Sequence, residues 1–460
     1  MDFFPPSGIE CVATALEGEV GEITLIDLRV EQEYHEFDRL KQFISQQIDL
    51  ICVSMNWYFY VDQVCNLLNL LPADIPLIVG GRYATHHVEE LFQRCPNIDM
   101  IVRGEGEESI QEIAQKRRAK DILGISYREN GRIKHNPNRP LPPFETLPYP
   151  NRELRRIPYY IHPKGITLFE VEFDTVFSSR GCDHTCQFCT HTINASGQKW
   201  PYTARPPESV VAEIRGLRAE VIYFKDENFF ADPERAERIC DLLIEQDIRK
   251  ILIAQARLEI YTYPSALFEK FARAGFKAIH IGIESPHDRI LQQYKKGFLS
   301  EDIRKAFQVL RQYPFFYTCY FICGNIGETR AEMLSIAPFA KKIGADSIMV
   351  YHLQAKEFSP LKKMIEETPG YYIDAQNCVC SDTYNMDALR RIRKEIYKKF
   401  YTPAQMFRIL KKLYTIRVFR WSHLLTATLF LLRFAVLGGK ALAKKLKKKR
   451  GGRKKGIPYA

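Results

Sequence analysis

The chain has 460 residues and 12 cysteines, a cysteine density far below that of a small disulfide-bonded secreted domain. Its first residues, MDFFPPSGIECVATALEG, contain no basic region followed by an apolar run, so the sequence predicts no signal peptide and a reducing, cytoplasmic location. The formal net charge of +11 belongs to the last segment, because 18 lysines and arginines and no acidic residue lie beyond Glu395.

The first 140 residues alternate strand-like and helical segments, which is typical of a doubly wound α/β sheet. The predicted strands are EITLIDLRV, LICVSM, PLIVGG and MIVRGEGE. A ligand of such a sheet lies beyond the carboxyl ends of its strands. Two glycine turns, at Gly80–Gly81 and at Gly104–Glu105, would let the backbone approach a bulky ligand closely. A sheet without any ligand is the alternative, because glycine turns alone are weakly specific.

A proline-rich stretch, NPNRPLPPFETLPYPNREL, separates this unit from the rest of the chain. Such a composition is typical of a linker between domains. We therefore expect four parts: an N-terminal domain over residues 1–140, a linker over 141–165, a second α/β domain over 166–370, and a helical extension with a basic tail over 371–460.

Three cysteines, Cys182, Cys186 and Cys189, lie within the short stretch SSRGCDHTCQFCTHT. Zinc sites usually need four ligands in two separated pairs, and the other cysteines are scattered singly except for Cys378 and Cys380. Iron–sulfur clusters accept thiolates at such short spacings. A cluster held by three protein ligands leaves one iron open for another ligand, and we favour this interpretation over a chance grouping of structural cysteines.

The cysteines open a second series of alternating strands and helices. The predicted strands are TVFSSRG, VIYFKDE, ILIAQAR, AIHIGIES, FYTCYFICG and SIMVYHLQA. Near-continuous apolar strands separated by amphipathic helices predict a parallel sheet with helices on its outside. Six such units indicate a partial barrel, in which the chemistry lies at the carboxyl ends of the strands.

Polar residues gather at those predicted strand ends. They are, in chain order, Asp226, Glu227, Gln255, Arg257, Glu284, Ser285 and Asn325. Any one of them alone could be a solvated strand-end or helix-capping residue, but their presence at four consecutive strand ends favours a ligand site. Lys295 and Lys296, which follow the fourth strand, are expected on a solvated helix face.

The spacing Cys-x3-Cys-x2-Cys, with Phe188 before the last cysteine, resembles the radical S-adenosylmethionine (SAM) enzymes. The resemblance implies a partial (β/α)6 barrel and a [4Fe–4S] cluster whose open iron chelates the amino and carboxylate groups of SAM. The polar strand-end residues listed above would then bind SAM. Asp226 and Glu227 occupy the place of the family's Gly-Gly-Glu, and either could meet the amino group. The segments GIES and CGNIGET look like the version found in cobalamin-dependent members.

The segments PLIVGGRYAT and IVRGEGEESI resemble the cobalamin-binding domain that precedes many radical SAM cores. The resemblance implies corrin contacts from Ser54, Asn56, Gly80, Gly81, Gly104 and Glu105, with residues 57–58 also beneath the ring. Asp27 is followed by Leu-Arg instead of the family's Asp-x-His-x-x-Gly, which implies cobalamin bound without a histidine lower ligand. Relatives place a strand before PPSGI where this sequence has MDFF, and losing that strand would expose a sheet edge beside the corrin.

The last segment combines charge with apolar character. QMFRILKKLYTIRVFRW is a basic amphipathic pattern, LLTATLFLLRFAVL (424–437) is too short to span a bilayer, and KALAKKLKKKRGGRKK is polybasic. Together they predict peripheral attachment to the inner face of a membrane. A core helix with a solvated tail is the alternative. Binding to nucleic acid is not expected, because no RNA-binding module is apparent.

The resemblance implies a cobalamin-dependent radical SAM enzyme. An external donor of flavodoxin or ferredoxin type would reduce the cluster, SAM would be cleaved to a 5′-deoxyadenosyl radical, and methylcobalamin would methylate the carbon that this radical activates. The protein itself would supply orientation and a dry cavity. The membrane-directed tail favours a small hydrophobic, lipid-like substrate. Alternatives are a porphyrin-type radical cyclase, an RNA methylthiotransferase, and a non-catalytic sensor of SAM or cobalamin.

Overall fold

The protein forms two β-sheets in sequence, each accompanied by helices. The computed structural model describes residues 4–44, 48–56, 60–161, 171–190, 193–194 and 196–418. The corrin contacts predicted at residues 57–58 and the apolar segment 424–437 lie outside these residues.

The N-terminal sheet has five strands in chain order. They are β1 (Ile51–Ser54), β2 (Leu77–Gly80), β3 (Met100–Val102), β4 (Ile125–Glu129) and β5 (Arg132–His135). The accompanying helices are α1 (Ser7–Thr14), α2 (Phe37–Ile44), α3 (Val61–Leu70), α4 (Arg82–His86), α5 (Val88–Arg94) and α6 (Glu107–Ala114). Strands β1 to β3 are parallel, whereas β4 and β5 are antiparallel. The predicted α/β sheet is thus confirmed, with a hairpin added at one edge.

The predicted strand EITLIDLRV does not form, because the backbone turns at Asp27. The Asp27 carbonyl accepts hydrogen bonds from the Val30 amide at 3.0 Å and the Glu31 amide at 2.9 Å. The Arg29 guanidinium and the Tyr159 hydroxyl donate to the Asp27 carboxylate. Burial alone would raise the pKa of Asp27, but these hydrogen bonds outweigh burial and lower the pKa. The strand prediction is therefore wrong, and β1 is the edge strand of the described sheet.

The second sheet is the predicted partial barrel. Its segment of the chain contains β6 (Tyr160–Ile161), β7 (Val171–Val176), β8 (Ser179–Arg180), β9 (Thr203–Ala204), β10 (Val221–Phe224), β11 (Ile251–Ala256), β12 (Phe276–Glu284), β13 (Phe316–Cys323) and β14 (Ser347–His352). The sheet order is β14-β13-β12-β11-β10-β7-β6, and β8 pairs separately with β9. Every neighbouring pair is parallel except β6 beside β7. Six parallel strands therefore deliver their carboxyl ends to one edge.

Helices cover the outside of the barrel and begin and end at sequence signals. They are α7 (Pro207–Gly216), α8 (Pro233–Glu245), α9 (Ser265–Ala274), α10 (Asp288–Gln293), α11 (Ser300–Leu310) and α12 (Arg330–Ile343). Helix α8 begins after Asp232, whose carboxylate accepts a hydrogen bond from the Arg235 amide at 2.9 Å. Helix α12 begins with a capping box of Thr329 and Glu332 and ends at Gly344, where φ is 87°. Their apolar faces pack on the strands in one continuous core.

The remaining described chain packs beside β14. It contains α13 (Pro360–Glu366), β15 (Tyr371–Ile373), β16 (Val379–Ser381), α14 (Met386–Phe400) and α15 (Pro403–Thr415). Helix α15 is fixed by Gln405, which donates to the Ala345 and Asp346 carbonyls, and by Lys412, whose Nζ is 2.7 Å from the Asp346 carboxylate. In the described part of the chain, every helix is too short or too polar to cross a bilayer.

A buried ionic network joins the two sheets. Arg155, in the connection between them, places its guanidinium between Glu10 of α1 and Asp174 of β7. Its Nη1 is 2.7 Å from one Asp174 oxygen and its Nη2 is 2.8 Å from one Glu10 oxygen. Glu10 is 0% exposed, and the Ser7 hydroxyl beside it lies 2.8 Å from the Thr175 hydroxyl. The first helix of one domain is thereby fixed to the first parallel strand of the other.

We predict that Arg155→Met destabilises the protein by about 3–5 kcal/mol, because it removes the guanidinium that bridges two buried carboxylates and leaves only Arg152, 3.6 Å from Asp174, nearby. Arg156→Met is the matched control, since the neighbouring Arg156 is partly exposed and pairs with Glu31 and Glu33 at 3.5 and 3.2 Å. The control should cost about 1 kcal/mol or less. Urea unfolding of the intact chain measures both. Equal shifts for the two variants would show that Arg155 does not hold the domains together.

Candidate functional site

A cavity of about 3050 Å³ lies between the N-terminal sheet and the carboxyl ends of the barrel strands. Ser54 and Asn56, at the end of β1, line it from one side. Glu227, Arg257 and Glu284 line it from the barrel. Clefts between domains and at the carboxyl ends of parallel strands are where ligands usually bind. Predicted residues from both domains therefore meet at this cavity.

The three cysteines line the same cavity on the loop that follows β8. The loop begins at Gly181, whose φ is 83° and where a side chain would overlap the Pro201 carbonyl. Cys182, Cys186 and Cys189 are all partly exposed and carry free thiols. Among the described residues, no three potential ligands are close enough to hold a single metal ion. A four-iron cluster does not need that arrangement, because each cysteine binds a different iron.

Arg257 contacts the cysteine loop from the barrel, and Phe188 within the loop packs against Tyr294. The Arg257 Nη1 is 3.5 Å from the Cys186 sulfur, and its Nη2 donates to the Lys296 carbonyl at 2.7 Å. The guanidinium thus lies directly beside one of the three predicted cluster ligands. The Phe188 ring packs edge-on against Tyr294 at 5.4 Å between centroids. Phe188 thus anchors the loop while also lining the cavity.

The adjacent carboxylates Asp226 and Glu227 have different surroundings. Asp226 is 0% exposed, and its two oxygens accept hydrogen bonds from the Ser178 amide and from the hydroxyls of Ser178 and Ser179. Glu227 lines the cavity, and its buried Oε2 has no hydrogen-bond partner among the described residues. Burial raises the pKa of Glu227 to about 7. Asp226 therefore holds the strand end together, while Glu227 has an oxygen free to accept a ligand.

An irregularity at the end of β12 changes the direction of the Glu284 side chain. The register between β12 and β13 shifts between Gly282 and Glu284, and Glu284 has a φ of 66°, which is rare for a residue other than glycine. Its carboxylate lies 3.1 Å from the Nζ of Lys296. A side chain at Gly282 would lie 2.6 Å from a Glu284 oxygen, so this carboxylate needs the glycine.

Lys296 is 4% exposed, so its prediction as a solvated surface residue is wrong. The chain turns at Lys295, where φ is 51°, and this turn directs Lys296 inward to Glu284 while Lys295 stays exposed. A buried lysine of this kind is retained where it is paired with a carboxylate. The pair thus belongs to the cavity wall.

Ser285 and Asn325 hold loops at the strand ends. The Ser285 hydroxyl accepts a hydrogen bond from the His287 amide at 3.1 Å. The Asn325 side chain donates to the Ile322 carbonyl and to Glu328. Glu328, which sequence reasoning did not single out, also accepts from the amides at positions 324 and 325, and burial raises its pKa to about 7. The cavity lining described above does not include Ser285 or Asn325.

On the N-terminal side, the structure brings Ser54, Asn56, Gly80 and Gly81 together. Ser54 lies opposite Gly80 in the parallel pair, and the Asn56 amide donates to the Ser54 hydroxyl at 2.8 Å. Gly81 has a φ of 99°, and a side chain there would lie 2.7 Å from both the Met55 carbonyl and the Asn56 amide oxygen. The glycine is therefore required by this turn itself, whereas at Gly80 a side chain would meet only ordinary contacts.

The second glycine turn faces the barrel. A side chain at Gly104 would lie 2.8 Å from the Ser196 hydroxyl, and Glu105 pairs with Arg180 at 3.3 Å. The Arg180 guanidinium also lies over the Trp200 ring at 5.1 Å. Neither Gly104 nor Glu105 is among the residues that line the cavity. In the described structure these two predicted corrin residues form part of the contact between the domains.

Sequence reasoning missed four residues that line the barrel interior: Tyr223, Lys225, His280 and Tyr320. The Nδ1 of His280 lies 2.7 Å from the Tyr320 hydroxyl and 3.3 Å from the Tyr223 hydroxyl. The sequence did contain a signal for them, because side chains two residues apart in a strand lie on the same face and Tyr223, Lys225 and Glu227 have this spacing. It was hidden because parallel strands are apolar on both faces and the alternation is weak.

Comparison with known families agrees with this geometry. The model of the radical SAM superfamily matches residues 176–340, and the model of the B12 binding domain matches residues 2–114. The chain belongs to the radical SAM superfamily and carries an N-terminal B12-binding domain. The first match contains the three cysteines and all the polar strand-end residues, and the second contains both glycine turns. These two domains bind a [4Fe–4S] cluster with SAM, and cobalamin.

Several known proteins are similar to this chain. This radical SAM protein is 27% identical over 352 residues to an uncharacterized methyltransferase of Pyrococcus horikoshii, with 74% of each chain covered. It is 24% identical over 303 residues to the hopanoid C-3 methylase of Methylococcus capsulatus, covering 63% of this chain and 55% of that protein. The radical SAM methyltransferase TsrM of Kitasatospora setae, solved with cobalamin and a [4Fe–4S] cluster, has a TM-score of 0.68 at 16% identity, with 87% and 89% covered. That likeness shows the shared fold.

The residues of this radical SAM protein fit the groups that its domains bind. The cysteines are reduced, partly exposed and directed to the cavity, and a guanidinium lies beside Cys186. Glu227 offers a buried oxygen without a partner in the described structure. Asp27 is tied to Arg29 and Tyr159, so the position that supplies a histidine motif elsewhere is here occupied by an internal ion pair.

Proposed function

We propose that this protein is a cobalamin-dependent radical SAM enzyme that methylates an unactivated carbon of a small, hydrophobic substrate. The observation that carries the proposal is the shared cavity, which is lined by the three cysteines, by Glu227 and by the end of β1 in the B12-binding domain. The proposed methylation requires both cofactors to reach one substrate, because one activates the carbon and the other supplies the methyl group. A cavity bounded by both domains meets that requirement.

In this proposal each residue has a defined task. Cys182, Cys186 and Cys189 hold the cluster, and Arg257 contacts the Cys186 sulfur from the barrel. The free oxygen of Glu227 accepts a hydrogen bond from the amino group of SAM. When bound, the cofactors supply the radical generation and the methyl group, and the apolar lining excludes water from that chemistry. The similarity to a hopanoid methylase supports both the transfer of a methyl group and a hydrophobic substrate.

Glu227→Gln and Asp226→Asn separate the two adjacent carboxylates. Glu227→Gln should weaken SAM binding by about tenfold or more, because it removes a charged acceptor for the ammonium of SAM. Asp226→Asn should instead lower the free energy of unfolding by about 1–3 kcal/mol, because it disturbs three buried hydrogen bonds. Equilibrium dialysis of SAM and urea unfolding measure the two effects. A larger loss of SAM affinity for Asp226→Asn would reverse the assignment.

Cluster chemistry is tested directly by Cys186→Ala. The wild-type chain, reconstituted anaerobically with iron, sulfide and hydroxocobalamin, should contain about four irons and release 5′-deoxyadenosine from SAM after reduction. Cys186→Ala should lose both the cluster absorbance and this product. Cys52→Ala is the matched control, because Cys52 lines the same cavity outside the triad, and it should retain both. Product formation by Cys186→Ala, or reconstituted wild-type protein without cobalamin, would contradict the proposed enzyme.

We also propose that the enzyme docks on the inner face of a membrane through α15. The buried side of this helix is fixed to Asp346, as described above. Its opposite side exposes Met406 (42%), Phe407 (71%), Leu410 (50%) and Tyr414 (45%). Arg408, Lys411 and Arg417 are partly or fully exposed on the same segment. An apolar stripe flanked by cations supports shallow insertion among anionic headgroups, and the basic sequence beyond residue 418 would add to the attraction.

Phe407→Glu combined with Leu410→Glu should weaken binding to anionic liposomes by about tenfold or more, since two apolar side chains no longer insert. Leu70→Glu is the control, because Leu70 is similarly exposed (56%) on a different helix. High salt should weaken binding of the wild type, since headgroup attraction is screened. Co-sedimentation with anionic and neutral liposomes is the measurement. If the wild-type chain ignores anionic liposomes, the docking proposal is wrong.

A further inference from the structure

Lys225 places a cation in the barrel interior, and no described residue supplies an anionic partner for it. It follows β10 and lines the cavity, and its Nζ lies 3.8 Å from the centroid of the Phe4 ring and 5.5 Å from that of Tyr223. Within the described chain, Lys225 forms no ion pair, whereas two other cations of the cavity do. Arg257 pairs with Glu259, and Lys296 pairs with Glu284.

The groups around Lys225 do not supply the missing charge. Burial lowers the pKa of His280 to about 4, so its ring is neutral at physiological pH. Burial also raises the pKa of Tyr223 to about 12, so its hydroxyl keeps its proton. The chain of Tyr223, His280 and Tyr320 can exchange hydrogen bonds with a ligand but adds no negative charge. The half-buried ammonium of Lys225 is therefore compensated mainly by ring faces.

Much of the barrel side of this cavity is apolar, although the Gln255 side chain also lines it. Phe173, Ile253 and Met349 line the cavity, and Tyr351 exposes 47% of its surface although it lies on a barrel strand. A charged group in such surroundings is costly unless an opposite charge and hydrogen bonds reach it. The surroundings thus match a ligand that has one acidic group and an apolar body.

We propose that Lys225 binds the acidic group, a carboxylate or a phosphate, of an amphiphilic substrate. The inference deepens the proposed function and rests on it, since the ligand is taken to be the molecule that is methylated. Lys225 lies two residues before Glu227, immediately beyond the end of β10. An acidic group held at Lys225 would therefore lie deeper in the barrel than Glu227, the carboxylate proposed to bind SAM. The apolar body would extend upward to the reacting centre.

Two other lysines of the cavity lack a carboxylate partner within the described residues. Lys356 lies within electrostatic reach of Cys189 and therefore belongs to the cluster end of the cavity. Lys199 also lines the cavity, but it is exposed to solvent. Position distinguishes Lys225 from both, because it lies in the barrel interior against aromatic rings. Lys199 accordingly provides a matched control.

The test compares octanoate and octyl phosphate with octanol as probes. Calorimetric titration of the cluster- and cobalamin-loaded wild type should show both anions binding at least about tenfold more tightly than the alcohol, through a charge-assisted hydrogen bond. Lys225→Met should lose this preference, Lys225→Arg should retain most of it, and Lys199→Met should keep it fully. Asp2→Asn, which changes the nearest acidic residue before Phe4 in sequence, should leave the preference intact.

Each outcome decides one question. The proposal is overturned if the wild type shows no preference for the anions or if Lys225→Met keeps that preference. It is also overturned if Asp2→Asn creates or strengthens the preference. If Lys225→Met lowers SAM affinity as much as probe affinity, the lysine belongs to the SAM site and the proposal also falls. Release of 5′-deoxyadenosine by the wild type reports the proposed function separately. A chain that releases it without any anion preference loses only the subsite.

Discussion

The architecture depends on a fixed relation between two domains, and Arg155 provides it. Removing the guanidinium that bridges Glu10 and Asp174 would leave two buried carboxylates without their shared partner. This requirement ties α1 of the B12-binding domain to β7 of the barrel. The second contact, between Glu105 and Arg180, lies near the cysteine loop and closes the other side of the interface. The cavity is the space left between these two attachments.

The carboxylates around that cavity are divided between structure and binding. Asp226 and Glu328 are occupied by amides and hydroxyls that shape strand-end loops, and Glu284 is held by Lys296. Glu227 differs because it lines the cavity and one of its buried oxygens lacks a partner in the described chain, whereas Glu328, which also has such an oxygen, does not line the cavity. A buried polar atom without a partner costs free energy that folding alone does not recover. Binding of an ammonium or a hydrogen-bond donor at Glu227 would recover it.

Local chemistry made much of this site predictable from the sequence. Three cysteines with fixed spacing and polar residues at successive strand ends need no tertiary information, because parallel strands bring their carboxyl ends to one edge. The prediction failed where distant contacts decide. The segment around Asp27 became a turn because Arg29 and Tyr159 reach its carboxylate, and Tyr159 lies far along the chain.

Burial of polar residues was also hidden from the sequence. Lys296 looks like a surface lysine until a left-handed turn at Lys295 directs it toward Glu284. The β4–β5 hairpin, in contrast, had a local signal that went unused: Asn130 and Gly131 both have positive φ, as a two-residue hairpin turn requires. The incorrect predictions thus have two origins. Some depend on pairing between distant residues, which the sequence does not reveal, and others depend on turn residues, which the sequence does reveal.

The central claim is that the cysteine triad and the cobalamin domain share one cavity, and electron paramagnetic resonance tests it most directly. The intact chain would be loaded with cobalamin in the paramagnetic Co(II) state and with a reduced cluster, and the two signals would be recorded together and separately. The account predicts dipolar coupling that broadens or splits both signals, because both centres border the same space. Two full-intensity, uncoupled signals from doubly loaded protein would contradict it.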